Sequence, residues 1–376
     1  MSMDYQVVVI GAGIIGASIA AKLAHLGLSV ALIERGTAGA SGASSHSGGL
    51  LRLYDDDPLL IALAARSIDL LDEEPFASAY TPALQRTGVL YRAAPQALDS
   101  MQDAIARYGS ERYPLRLLDR QQLAALYPSL PADQERIDLF EPHACVGNVR
   151  QAAAALAGQV RRNGLLLEHA EVTAIDWLSR HEARVKAGAT SLTCRAVVIA
   201  TGAWSGQWLP GGLEVRSIPL ARVQSEESWP LPVIDAVSQS YGIPLAARLV
   251  QTGCQPRAVA SCPIGLPTPD EHHAADGLAR IGCLSGAGEH QVIDVLPGFD
   301  GYSPDGRPLV GFLDQASPLY IATGLSGVGF KLAPAIAELA AGQLRCHLSG
   351  ETPGVEWPGL SPARSKETPD RQGGRP

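Results

Sequence analysis

Lysine is nearly absent from this chain. Four lysines stand among 30 basic residues, and no stretch gathers like charges into a block. With a formal net charge of −8, the sequence has no electrostatic footprint for nucleic acid and no basic face for an anionic membrane. Paired cysteine motifs are missing too. Cys145, Cys194, Cys254, Cys262, Cys283 and Cys346 are scattered without a C-x-x-C pair, so neither a zinc site nor a redox dithiol is suggested and no metal site is expected. Such thiols fit a reducing compartment. No apolar run reaches the roughly 18 residues that span a bilayer, and the N-terminus opens on a strand rather than on a signal peptide. Together these absences lead us to expect a cytoplasmic protein without a transmembrane segment.

What is present is apolar mass and glycine. The 376 residues are 46% hydrophobic, enough for a sizeable core in one large domain or in two that share an interface. Residues 5–34, YQVVVIGAGIIGASIAAKLAHLGLSVALIE, read as strand, glycine turn, helix closed by Gly27, and a second strand ending in an acid. The chain is then Gly/Ser-rich through Gly49, before helical periodicity from Pro58 to Glu73. Residues 80–140 mix short strand-like and helix-like runs. Residues 148–164 predict a helix with a glycine stop, followed by a strand-like run over 165–177 and another strand leading into ATGAW, Ala200 to Trp204. Residues 216–303 are rich in proline and short apolar runs and lack long helices, which suggests a mostly β, substrate-side region. The strand LYIAT, a glycine loop and the helix LAPAIAELAAGQL follow, and residues 351–376 read as a disordered tail.

The first glycine turn carries the clearest chemistry. Gly11, Gly13 and Gly16 form G-x-G-x-x-G between strand and helix, with Ala12, Ile14 and Ile15 completing the turn. Glycine permits a tight turn and close backbone approach to a pyrophosphate, while the helix N-terminus offers N–H donors and a positive dipole end. Glu34, 18 residues beyond Gly16 and followed by Arg35, stands where a carboxylate accepts ribose hydroxyls. A strand-to-helix turn without a ligand would use the same glycines. Of the dinucleotides, NAD calls for further βαβ units, whereas here a Gly/Ser loop follows. FAD accounts for that loop better, because its ring is met by loops from elsewhere, and ATGAW and ATGLSGVGFK (Ala322 to Lys331) supply them.

GAGIIG with Glu34, SSHSGG, ATGAW, YSPDGRPLVG and ATGLSGVGFKLAP, in this order over residues 4 to about 348, resemble the D-amino-acid-oxidase-type family of FAD-dependent oxidoreductases. That family includes glycine oxidase, monomeric sarcosine oxidase and D-amino-acid dehydrogenase. The resemblance implies an α/β fold: a discontinuous, Rossmann-like FAD-binding domain from residues 1–80, 141–215 and 304–350, and a mostly antiparallel β substrate domain from 81–140 and 216–303. It implies oxidation of a C–N bond of an amino acid or secondary amine to an imine, with hydride passing to flavin and oxygen or an electron carrier as final acceptor. On the matching positions it places Ser44, Ser45 and His46 beside the pyrophosphate and flavin. It also brings Val172 to adenine unless that residue is plain core, Thr201 and Gly202 to the second turn, and Gly327, Val328, Gly329, Phe330 and Lys331 to the flavin end.

The substrate end departs from the family pattern. Asp300 stands where many members carry an arginine for the substrate carboxylate; it either faces a cationic substrate or is a turn aspartate. Sarcosine-oxidase-like members hold the carboxylate with an arginine after the Gly/Ser loop and the lysine of SGxGFK, which makes Arg52 and Lys331 candidates, with Arg52 out of register. No cysteine lies between Cys283 and Cys346, so noncovalent FAD is expected. The lysine that some oxidases set over the flavin is lacking from SYGIPLAARLVQTG, where Arg248 is the nearest cation, which tilts the expectation toward a dehydrogenase. Tyr241 and Tyr302 are candidate substrate contacts or packing residues, and His272 and His273 read as a solvated polar loop. Two other readings stay open: oxidation of a 2-hydroxy acid at C–OH, since SSHSGG also resembles loops of FAD-linked dehydrogenases of that class, and a flavin-binding subunit or maturation partner with little turnover of its own.

Overall fold

The computed structural model describes residues 3–366 except 131, 132, 134, 210, 211, 256, 286, 287, 315, 316, 353, 355 and 356. The opening βαβ unit forms as its pattern dictates. Strands Tyr5–Ile10 and Val30–Ile33 pair in parallel, Val7 opposite Val30 and Ile10 opposite Ile33, with helix Ile14–His25 crossing between them. Val7–Ile10 and Val30–Ile33 are continuously apolar because both faces are covered. Val7, Val9, Val30 and Leu32 enter a core shared with the helices, whereas Val8, Ile10, Ala31 and Ile33 enter a second core on the opposite face.

This sheet has eight strands. Val172–Ser179, Glu182–Ala187 and Thr190–Ile199 form an antiparallel meander, and Thr190–Ile199 also runs parallel to Tyr5–Ile10 and Leu319–Thr323. Leu165–Leu167 lies on the far edge beside Val30–Ile33. The run 165–177, read from sequence as one strand, is therefore split. His169, at φ 55°, lies in the break, and the two pieces join opposite edges.

Helix Val149–Asn163, capped by the Asn148 side chain, and helix Gly329–Ser349 pack beside helix Ile14–His25. The C-terminal helix starts at Gly329, earlier than its apolar run announces, so Pro334 falls in the second turn rather than the first. Pro334 has no N–H to give back, and Ala335 N donates out of the helix to Ser67 Oγ at 3.2 Å, on helix Pro58–Leu70.

The second large sheet is ordered His290–Leu296, Leu220–Ser225, Leu249–Gly253, Ser240–Ala246, Val233–Asp235, Val89–Ala93, Ile137–Glu141, Arg116–Leu118. It is antiparallel except where Val233–Asp235 meets Val89–Ala93. Side chains alternate across it. Leu90, Val233 and Val250 enter an outer core, while Tyr91 and Ile234 turn to the inner face. Helix Glu271–Leu284 covers the outer face through Ile281 and Leu284. This helix corrects the reading of residues 216–303 as lacking long helices. Its glycines disguise it, and Gly277 is there for contact: a Cβ would come within 2.4 Å of Ala221 Cβ. His272 and His273 stand in its first turn rather than in a loop, with Asp270 accepting from both backbone N–H groups.

Part of the expected disordered tail is ordered. Leu360 is fully buried in the main core, and Arg364 forms a forked ion pair with Asp305 at 2.8 and 3.0 Å. Prolines fix φ there without any periodicity that a pattern reading could detect. Residues 367–376 lie outside the described residues.

One buried carboxylate ties the segment after Leu51 to the second sheet. Glu141, 0% exposed, accepts from Leu53 N at 2.7 Å, Tyr54 N at 3.0 Å and Tyr113 Oη at 2.8 Å. It thereby fixes the 52–55 segment. Replacing it by leucine strands three buried donors, each costing about 1–3 kcal/mol. Glu141→Leu is expected to lower the urea midpoint by the equivalent of about 3 kcal/mol or more, with Glu141→Gln losing less; a leucine variant as stable as the parent would exclude this role.

Candidate active site

One cavity of about 420 Å³ lies between the two sheets, and both glycine loops open into it. At the first loop, Gly11 has φ 98°, and a Cβ there would stand 2.6 Å from the Ala200 carbonyl oxygen. A Cβ on Gly16 would stand 1.9 Å from the Gly11 oxygen, so Gly16 packs helix on strand and does not itself line the cavity. Gly11, Gly13, Ile14 and Ile15 do line it. Ala12 is buried and gives its N–H to Glu34 Oε2 at 2.8 Å, while Gly36 N donates to Glu34 Oε1 at 2.9 Å. Glu34 thus ties the glycine turn to the end of the second strand and keeps a face on the cavity.

The Gly/Ser loop closes over this helix end. Ser44 Oγ accepts from Ile14 N at 3.0 Å, whereas Ser45 turns its hydroxyl to Gly42 O at 2.8 Å and does not line the cavity. His46 lines it, and burial holds its imidazole below the usual histidine range. Val172 lines the cavity beside Glu171. Arg35 stacks its guanidinium 3.9 Å over Trp204, which meets Phe299 edge-on at 5.1 Å. Thr201 and Gly202 complete that wall, and Gly202 O accepts from Thr323 Oγ1 at 3.0 Å.

The second loop enters from the other side. Helix Gly329–Ser349 has no side-chain cap and no acid in its first turn, so its positive dipole end and first-turn N–H groups open toward the cavity, which Gly327, Val328 and Gly329 line. Phe330 stacks on Tyr80 at 5.2 Å. Asp300 accepts from Gly327 N at 2.8 Å and Gly301 N at 2.7 Å, so it is a clamp on this loop. Of the two readings left open for Asp300, that geometry favours the turn aspartate. Burial pushes its carboxyl up to about 6 against those two donors.

Lys331 is also corrected. It is 4% exposed, and its Nζ lies 2.8 Å from Asp55 Oδ2, so its charge is met within the protein and is not free for a substrate carboxylate. The missed signal was the acidic run after Tyr54. Burial pushes the Lys331 ammonium down to about 8 despite Asp55. Arg248 is a further correction: SYGIPLAARLVQTG is a hairpin, Arg248 sits exposed at its tip, and it does not line the cavity.

The inner face of the second sheet roofs the cavity with Tyr91, Ile234 and Tyr241. Tyr91 Oη donates to both carboxylate oxygens of Asp56 at 2.9 Å, and Arg52 lies over the Tyr91 ring with its guanidinium 5.1 Å from the centroid. Burial pushes the Tyr241 phenol up to about 12, while Arg257 pulls it down. Arg257, which the sequence reading missed, lines the cavity with Nη1 3.5 Å from Tyr302 Oη. Its Nε is buried without a hydrogen-bond partner, as is Nη1 of Arg52. Arg257 follows a glycine, cysteine and proline stretch with no periodicity, so only the fold brings it here. No cysteine is among the described residues of the cavity wall.

These features fit FAD on structural grounds. Two helix N-termini open into one cleft, one at a turn that tolerates no added Cβ and one left without a capping acid. Glu34 and the Ser44 loop would hold the ribose and pyrophosphate end, and the Gly327–Lys331 loop the electron-rich ring.

Comparison with known proteins agrees. The chain is 28% identical to glycine oxidase from Pseudomonas aeruginosa over 378 residues, covering 96% of this chain and 99% of that one. It is 28% identical to monomeric sarcosine oxidase from Streptomyces avermitilis over 56% of this chain and 54% of that one. Its fold superimposes on L-proline dehydrogenase from P. horikoshii with a TM-score of 0.81 at 22% identity, covering 99% of this chain and 100% of that one. The FAD dependent oxidoreductase (DAO) family matches residues 6–343, and the chain belongs to this family.

Proposed function

We propose that this enzyme oxidises the C–N bond of an amino acid or N-substituted amino acid, and that Arg257, with the hydroxyls of Tyr241 and Tyr302, receives the substrate carboxylate. One observation carries the placement: a half-buried guanidinium, that of Arg257, lines the same cleft as both glycine loops. FAD supplies a two-electron acceptor. The substrate loses a hydride from carbon and a proton from nitrogen, and water hydrolyses the resulting imine to a carbonyl compound and an amine. The protein binds and orients. Tyr241 stays protonated and donates, and the sheet roof excludes water from the reacting carbon. Residues 1–80, 141–215 and 304–350 form the cofactor side in this reading, and 81–140 and 216–303 the substrate side. The described cysteines are all free, which suits a reducing, cytoplasmic setting.

Anaerobic bleaching of the flavin with amino acids, N-methylated amines and 2-hydroxy acids tests the reaction class. Bleaching by 2-hydroxy acids alone would overturn it. Arg257→Met is expected to raise KM for carboxylate substrates about 10- to 100-fold, the loss of a charged hydrogen-bond pair, with flavin content unchanged; an unaltered KM would remove Arg257 from the site.

The acceptor follows from the same cleft. Lys331 is the lysine in its wall, and Asp55 holds it, which favours an electron carrier over oxygen. Turnover with an artificial acceptor should exceed turnover in oxygen alone by at least tenfold, and the reverse order would refute this.

Affinity for a carboxylate inhibitor should depend on pH in two steps. As pH rises through about 6, Asp300 gains negative charge and repels the anion; above about 8, Lys331 loses its proton and leaves Asp55 uncompensated. Affinity therefore falls at each step. His46 titrates in the acid range as well, so Asp300→Asn separates the two: the lower step should vanish, and its persistence would assign it to His46.

A further inference from the structure

We propose that Arg307 is a positioning residue for the oxidation: acting through Asp57, it holds Asp55 against Lys331 in the cavity wall. The inference rests on the amine-oxidation reading above and adds to it a residue that does not line the cavity.

A continuous polar path leads from the surface to Lys331. Arg364 forks onto Asp305 and also donates from Nη2 to the Arg307 carbonyl oxygen at 2.7 Å, while Asp305 accepts from Arg307 N at 3.1 Å. The Arg307 guanidinium then forks onto Asp57, Nε to Oδ2 at 2.6 Å and Nη2 to Oδ1 at 3.1 Å. Asp57 passes the constraint on twice. Its Oδ1 caps helix Pro58–Leu70 by accepting from Leu59 N at 3.0 Å, and its backbone N–H donates to Asp55 Oδ1 at 3.3 Å. The other Asp55 oxygen meets Lys331 Nζ.

Three successive acids therefore go to three elements. Asp55 reaches the C-terminal helix, Asp56 the Tyr91 hydroxyl on the roof, and Asp57 the arginine that precedes strand Leu309–Phe312. Asp55 and Asp56 line the cavity and Asp57 does not, so Arg307 reaches the site only through this turn. Residues 357–364 seat the arginine from outside. A Cβ on Gly359 would stand 2.9 Å from Leu59 Cδ2 and 3.4 Å from Arg307 Nη1.

The pair acts on position more than on stability. With its arginine side chain 37% exposed, it adds little to folding, whereas the place of Asp55 governs the charge of a buried lysine. Burial opposes protonation of Lys331 most, Asp55 favours it most, Arg52 opposes it and Glu141 favours it. If Asp55 is no longer held in place, Lys331 gives up its proton at lower pH. Losing the Arg307 charge by itself would act in the opposite sense, because one cation fewer favours another.

The chain has four lysines, Lys22, Lys186, Lys331 and Lys366, so a lysine-selective carbon-13 label makes Lys331 Cε observable by NMR in the FAD-loaded protein, assigned by its loss in Lys331→Arg. Its titration midpoint in Arg307→Gln should lie roughly 0.5 or more in pH below that of the parent, with flavin content unchanged, and Arg307→Lys should recover part of the difference. Asp57→Asn keeps the helix cap and loses the forked charge pair, and its midpoint should fall as well. A midpoint unchanged or raised in either Arg307→Gln or Asp57→Asn would overturn the proposal. With a substrate that bleaches the flavin, the alkaline limb of kcat should move with the midpoint. Failure of every amine to bleach it would instead overturn the reaction class, and the lysine titration would still report on Arg307.

Discussion

The cleft depends on a buried ion pair between Lys331 and Asp55, 4% and 5% exposed. Lys331 is in the first turn of the C-terminal helix, and Asp55 follows the segment that Glu141 pins to the second sheet. The pair therefore connects the helix that opens on the cofactor to the strand edge that carries the roof. Such a pair adds little net stability over an apolar contact, because desolvation offsets most of the attraction, yet removing one partner leaves an unmatched buried charge. Its value here is register. It fixes where the helix end lies relative to Arg52 and Tyr91, and so where any ring held by the helix lies relative to the roof.

Electrostatics then divide the cavity. Positive potential comes from two helix N-termini and the guanidiniums of Arg52 and Arg257, whereas the acids are engaged with internal donors: Glu34 with Ala12 and Gly36, Asp300 with Gly301 and Gly327, Asp56 with Tyr91. An electron-rich cofactor and an anionic substrate both suit that distribution. The engaged carboxylates shape loops and leave the cations to the ligands.

The first βαβ unit was legible because its signals are local: alternating covered faces, glycines that a Cβ would exclude, and an acid at the strand end. The Gly327–Lys331 loop was legible for the same reason. What the sequence hid depends on partners distant along the chain. Lys331 looked like a free cation because its partner Asp55 lies 276 positions away, and Arg257 carried no local mark at all. The strand-like run 165–177 concealed a break at His169, and the helix Glu271–Leu284 was masked by glycines whose purpose, close approach to the sheet, exists only in the folded chain.

Asp300 shows why a motif can keep its form while its role changes. At a position where relatives carry a cation, an acid would repel the same substrate if it faced the cavity with nothing else to do. Here its oxygens take two backbone N–H groups, one from its own neighbour Gly301 and one from Gly327 in the glycine loop, and burial keeps its carboxyl neutral up to about pH 6, above where an exposed carboxyl ionises. The loop gains a brace, and Arg257, on a neighbouring segment, meets the same cavity from another direction.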